Sequence, residues 1–105
     1  MENDRRSKKE LARIRATSAF RRLAHFFARG GCVREPRPAR FGEGSQRYKK
    51  GWEVRILVDN HGDLVEVRLL LTAIGLTPAR PYRKYGERFV QPVYGLTAAE
   101  LFAKL

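Results

Sequence analysis

The stretch GWEVRILVDNHGDLVEVRLLLTAIG, residues 51–75, sets the architecture. In its first part Trp52, Val54, Ile56 and Val58 alternate with Glu53, Arg55 and Leu57, the period of two that marks a strand with one buried face. Asp59-Asn60-His61-Gly62 then turns the chain. Residues 64–74 fit two periods. Leu64, Val67, Leu71 and Ile74 lie on one face of a helix, whereas Val65, Val67, Leu69 and Leu71 would line one face of a strand. Asp63 with Glu66 is spaced as a capping box, and Gly75-Leu76 before Pro78 resembles a helix end, so helix is favoured. A hairpin through Asn60-His61-Gly62 is the competitor.

Toward the C-terminus, Arg88 to Tyr94 reads as a strand, placed by Pro92 at a sheet edge or near the strand's end. Pro81 to Tyr85 pairs with it across a turn at Gly86. Thr97 and Glu100 form an N-terminal capping pair for a last helix, with Leu96 and Leu101 as its staple. Residues 51–105 therefore read as a β-α-β-β-α module, a sheet covered by helices on one side, and the fold class is α+β.

Toward the N-terminus, residues 32–50 hold Pro36, Pro38, Gly42, Gly44 and Ser45 among basic residues, the composition of a linker. Ser7 to Arg29 has no Gly or Pro and reads as one helix ending at Gly30-Gly31. Its apolar residues make no single stripe: Ala12, Ala16, Ala19, Phe20 and Phe27 gather on one side, and Leu11, Ile14 and Leu23 lie nearly opposite. That pattern predicts a basic helical arm, residues 1–31, that packs only partly on the module.

Charge sets the expectation for function. The 105 residues carry 22 Lys and Arg against 11 Asp and Glu, a net charge of +11. Residues 1–50 hold 15 of the cations and five of the acids, while residues 51–105 hold seven and six, so nearly all the excess lies in the arm and linker. A basic chain of this size points to a polyanionic partner, nucleic acid first. The candidate contacts are Arg5, Arg6, Lys8, Lys9, Arg13, Arg21 and Arg22 in the arm, and Arg47, Lys49 and Lys50 at the end of the linker. Arg80, Tyr82, Arg83, Lys84, Tyr85 and Arg88 form a third group, in which cations for phosphates alternate with rings on which unpaired bases stack. Those rings favour RNA slightly over DNA. Trp52 opens the alternating series and is assigned to the core. An adaptor or inhibitor that docks its Arg-rich arm on an acidic protein is the alternative.

Other classes find little in the sequence. Cys32 is the single cysteine, which precludes an intramolecular disulfide and fits a reducing cytosol. His25 and His61 belong to no metal-ligand spacing, and Asp59, Asn60, His61 and Asp63 read as an ordinary Asx turn. No phosphate-binding glycine loop or nucleophile motif occurs, so the chain is read as a non-enzymatic protein without a cofactor. No apolar run approaches the roughly 20 residues of a membrane span, so no membrane partner is expected.

Leu70-Leu71-Thr72-Ala73-Ile74-Gly75-Leu76 and Val93-Tyr94-Gly95 followed by Leu101-Phe102 resemble part of one half of a LAGLIDADG homing endonuclease. The resemblance covers about half the chain and implies a sheet that lies on duplex DNA. The family's signature helix with its metal-binding acid has no counterpart here, so cleavage is not implied.

Overall fold

In the computed structural model, which describes residues 6–36, 51–103 and 105, the ambiguous stretch is a strand followed by a helix. The strand is Glu53–Val58, and the helix, His61–Ala73, starts where Asn60 Oδ1 accepts from the Asp63 N–H at 2.8 Å. Asn60 therefore supplies the cap, three residues ahead of the Asp63 expected from the sequence. At the other end Gly75 turns left-handed (φ +89°), the Leu76 N–H bonds to Leu71 O and the Gly75 N–H to Thr72 O. This Schellman ending is what the Gly-Leu-x-Pro punctuation indicated.

In chain order the elements are α1 (Lys8–Arg15), α2 (Ser18–Gly30), β1 (Gly31–Arg34), β2 (Glu53–Val58), α3 (His61–Ala73), β3 (Tyr82–Lys84), β4 (Arg88–Tyr94) and α4 (Leu96–Ala103). The strands form one antiparallel sheet in the order β1-β2-β4-β3. The class is α+β, and residues 51–103 contain the expected β-α-β-β-α order.

Two expectations about the elements are corrected. Ser7 to Arg29 is two helices, because the Thr17 hydroxyl accepts from the Phe20 N–H at 3.1 Å and donates to Ile14 O at 2.7 Å, ending one helix and capping the next. The break reconciles the two apolar clusters: Leu11 and Ile14 reach the core from α1, and Phe20, Leu23, Phe26 and Phe27 from α2. Far from packing only partly, α2 lies on β2 and α3, with Phe20 and Phe27 rings 5.2 and 5.1 Å from that of Phe102 in α4.

The second correction concerns Gly31–Arg34, read in large part as linker but built as an edge strand that pairs with β2 through Gly31↔Ile56 and Val33↔Val54. Pro92 lies two residues from the end of β4, an inner strand, which is the second of the two placements expected for it. Its carbonyl accepts from the Ala79 N–H at 3.0 Å, on the side away from β2, so its missing N–H costs the β2–β4 ladder nothing.

The helices cover one face of the sheet. Val54, Ile56, Val58 and Val93 meet Leu23, Phe26, Leu64, Val67, Leu71, Leu101 and Phe102 there. Trp52, assigned to the core from the alternation, is only partly buried just ahead of β2. Gln91 is fully buried; its amide donates to Ala79 O (2.7 Å) and Pro92 O (2.8 Å) and accepts from Arg68 at 2.8 Å. A buried amide so fully bonded locks α3, the 79–81 connection and β4 together.

Candidate nucleic-acid interface

Strand alternation leaves the second face without helices. The pairing register places Cys32 and Arg34 (β1), Glu53, Arg55 and Leu57 (β2), Val90, Pro92 and Tyr94 (β4), and Tyr82 and Lys84 (β3) on it. Glu53 is its one carboxylate among these strand residues, and its Oε2 accepts from Arg55 Nε at 2.9 Å. That bond pushes the Arg55 pKa up and commits Glu53 to a cation. Burial raises the Tyr94 phenol above its ordinary value, with the charge of Glu53 adding to the effect. Tyr82, Tyr85 and Tyr94 are all exposed, Tyr85 the most at 73%. Tyr85 and Gly86 take left-handed φ values of 52° and 77° in the hairpin turn, and Lys84 Nζ stands 5.3 Å from the Tyr85 ring centre.

Across the end of this face nearest α2 runs a groove of about 190 Å³. Leu57 and Val90 line it with Gly30, Gly31 and Cys32 on one side, Tyr82, Lys84 and Tyr85 on the other, and Arg55.

The structure separates the residues that sequence grouped. Tyr82, Lys84 and Tyr85 come together at the groove, but Arg83 points to the helical face, its guanidinium 5.7 Å from the Phe89 ring centre. Arg88 is held by Asp59 at 3.1 Å, and Arg80 is exposed ahead of β3. In the N-terminal segment several of the basic side chains make surface bonds within the protein. Arg6 donates to Gly75 O at 3.3 Å and Arg21 to Ala16 O at 3.1 Å. Arg22 pairs with Glu66 at 2.7 Å, a contact that raises the Arg22 pKa and lowers that of Glu66. Arg15 and Arg29, outside the candidate set, likewise bond to Glu100 O and Asp59. Lys8, Lys9 and Arg13 are exposed on α1. Arg5, Arg47, Lys49 and Lys50 lie outside the described residues.

Sequence reasoning missed Arg34, Arg55 and Tyr94. The signal for Arg55 lies in the alternation of residues 52–58, since whatever faces away from Val54 and Ile56 shares one face. Alternation alone does not tell a binding face from plain solvent surface. Among the described residues no three His, Cys, Asp or Glu side chains converge as metal ligands, and no helix is long and apolar enough to cross a membrane.

The fold and face define a helix-backed antiparallel sheet whose helix-free face carries tyrosines and cations around the buried Val90 and Pro92. No protein-family model, curated protein or solved structure matches the chain.

Proposed function

We propose that this chain is a non-enzymatic binding protein for single-stranded nucleic acid, with RNA favoured over DNA, and that the open face of the sheet is its platform. One observation carries the reading: the face without helices bears Tyr82 and Tyr94, with Tyr85 at its margin, among Arg34, Arg55 and Lys84, while its one strand carboxylate is taken by Arg55. An exposed tyrosine ring stacks on any unpaired base, and the cations neutralise phosphates between stacking sites. The basic segment 37–50 joins β1 to β2 and adds Arg47, Lys49 and Lys50 to the attraction for the backbone.

Fluorescence anisotropy with labelled single-stranded RNA, single-stranded DNA and duplex DNA tests this. Single strands bind in preference to duplex, and affinity falls steeply between about 50 and 200 mM salt. Absence of single-strand binding at about 50 mM salt, or affinity unchanged at 200 mM, overturns it. Preference for duplex restores the mode that the endonuclease resemblance implies, and capture of an acidic protein with no nucleic-acid binding restores the adaptor reading.

A further inference from the structure

Resting on the proposal that the open face binds single strands, we infer that the groove beside β1 is a pocket for one base and that Arg55 selects guanine there. The groove, at about 190 Å³, holds far more than one water, whose share of liquid volume is about 30 Å³. Leu57 and Val90 give it an apolar lining suited to the flat face of a ring, and the glycines and Cys32 leave one side low. Tyr82 and Tyr85 supply rings beside it, and Lys84, next to the Tyr85 ring, provides a cation for the adjoining phosphate.

The orientation of Arg55 supplies the selectivity. Glu53 takes the Arg55 Nε–H, which restrains the plane of the guanidinium and leaves the two terminal amino groups as further donors on a residue that lines the groove. Two parallel N–H donors match the adjacent N7 and O6 acceptors of guanine, whereas adenine presents a donor at the second position. An arginine that served only to attract phosphate would not need a partly shielded carboxylate to orient it. Glu53 is such a carboxylate, its side chain only 14% exposed. Arg55 is thus a specificity residue and Glu53 its positioning residue.

The test uses the full chain and two single-stranded RNA oligonucleotides that differ by one guanine replaced with adenine, at fixed salt. Wild type prefers the guanine strand by between about fivefold and about a hundredfold, the range one bidentate base contact provides. Arg55→Lys keeps the charge, removes the fork and abolishes that preference with the salt slope unchanged. Glu53→Gln weakens the preference while leaving Arg55 in place. As a second readout, Cys32 lies in the groove and is exposed, so the guanine strand slows its alkylation by N-ethylmaleimide more than the adenine strand does. Equal affinity of wild type for both strands overturns the pocket and leaves the binding face standing. So does an Arg55→Lys variant that loses affinity for both strands alike, which makes Arg55 a phosphate contact. Failure of both strands to bind removes the binding face itself, and the pocket with it.

Discussion

At the scale of single residues the molecule separates stacking from stability. Tyr82 is exposed on the helix-free face, so truncating it leaves the core intact. Tyr82→Ala and Tyr94→Ala should each weaken single-strand binding by about 1–3 kcal/mol, the worth of one base stacked on an aromatic ring, as read by anisotropy. The melting temperature of Tyr82→Ala should stay near that of the wild type. Gln91 behaves in the opposite way. Its removal in Gln91→Ala takes one bond each from the Ala79 and Pro92 carbonyls and the Arg68 guanidinium, which keep the Arg68–Ala79 and Ala79–Pro92 bonds, and empties a buried site, for a loss of about 1–3 kcal/mol in denaturant unfolding. Nothing in the sequence pattern marks Gln91. A single polar residue in an apolar strand is legible only when the carbonyls that face it are known.

At the scale of elements the sequence is most informative where punctuation and period agree. The β2 alternation, the Gly75 ending of α3 and the Gly86 turn all stand where the residues put them. The fate of the N-terminal helices is not legible, because Ser7 to Arg29 offers no Gly or Pro at which to break and one straight helix cannot turn both apolar clusters to one core. Nor is β1, whose four residues hold one apolar side chain that packs on the core, Val33, too few to show a period. The packing of α2 changes what deletion means. Removing residues 1–31 takes away Leu11, Phe20, Leu23 and Phe26 along with the basic charge, so a truncated chain should lose cooperative unfolding rather than report on binding. Leu23→Ala, at a fully buried position, should cost about 2–5 kcal/mol in chemical denaturation. A cost under about 1 kcal/mol would mean that α2 is an appendage after all.

For the whole molecule, charge and shape divide the labour. The total of +11 points to a polyanion, and the asymmetry along the chain points to the N-terminal half. The fold redirects this: Arg6, Arg15, Arg21, Arg22 and Arg29 bond within the protein, and a face with modest charge carries the rings. The Tyr82 to Tyr85 group is legible in the sequence but its neighbours are not, since Cys32, Arg55 and Tyr94 are far apart in the chain and are joined only by strand register. Segment 37–50 should then act through charge alone. Replacing Arg47, Lys49 and Lys50 with Gln should lower affinity for all single strands alike and flatten the plot of log affinity against log salt by about 0.7 for each phosphate no longer neutralised. Base preference should not change.

An amide NMR titration of the full chain with a single-stranded oligonucleotide decides whether the sheet or the N-terminal helices carry the site. Binding on the open face gives shifts concentrated on Cys32, Arg34, Arg55, Leu57, Tyr82, Lys84, Tyr85 and Tyr94, with the solvent faces of α1, α2 and α3 unmoved. Shifts centred on Lys8, Lys9 and Arg13 with the sheet unmoved would contradict it and return the site to the N-terminal helices.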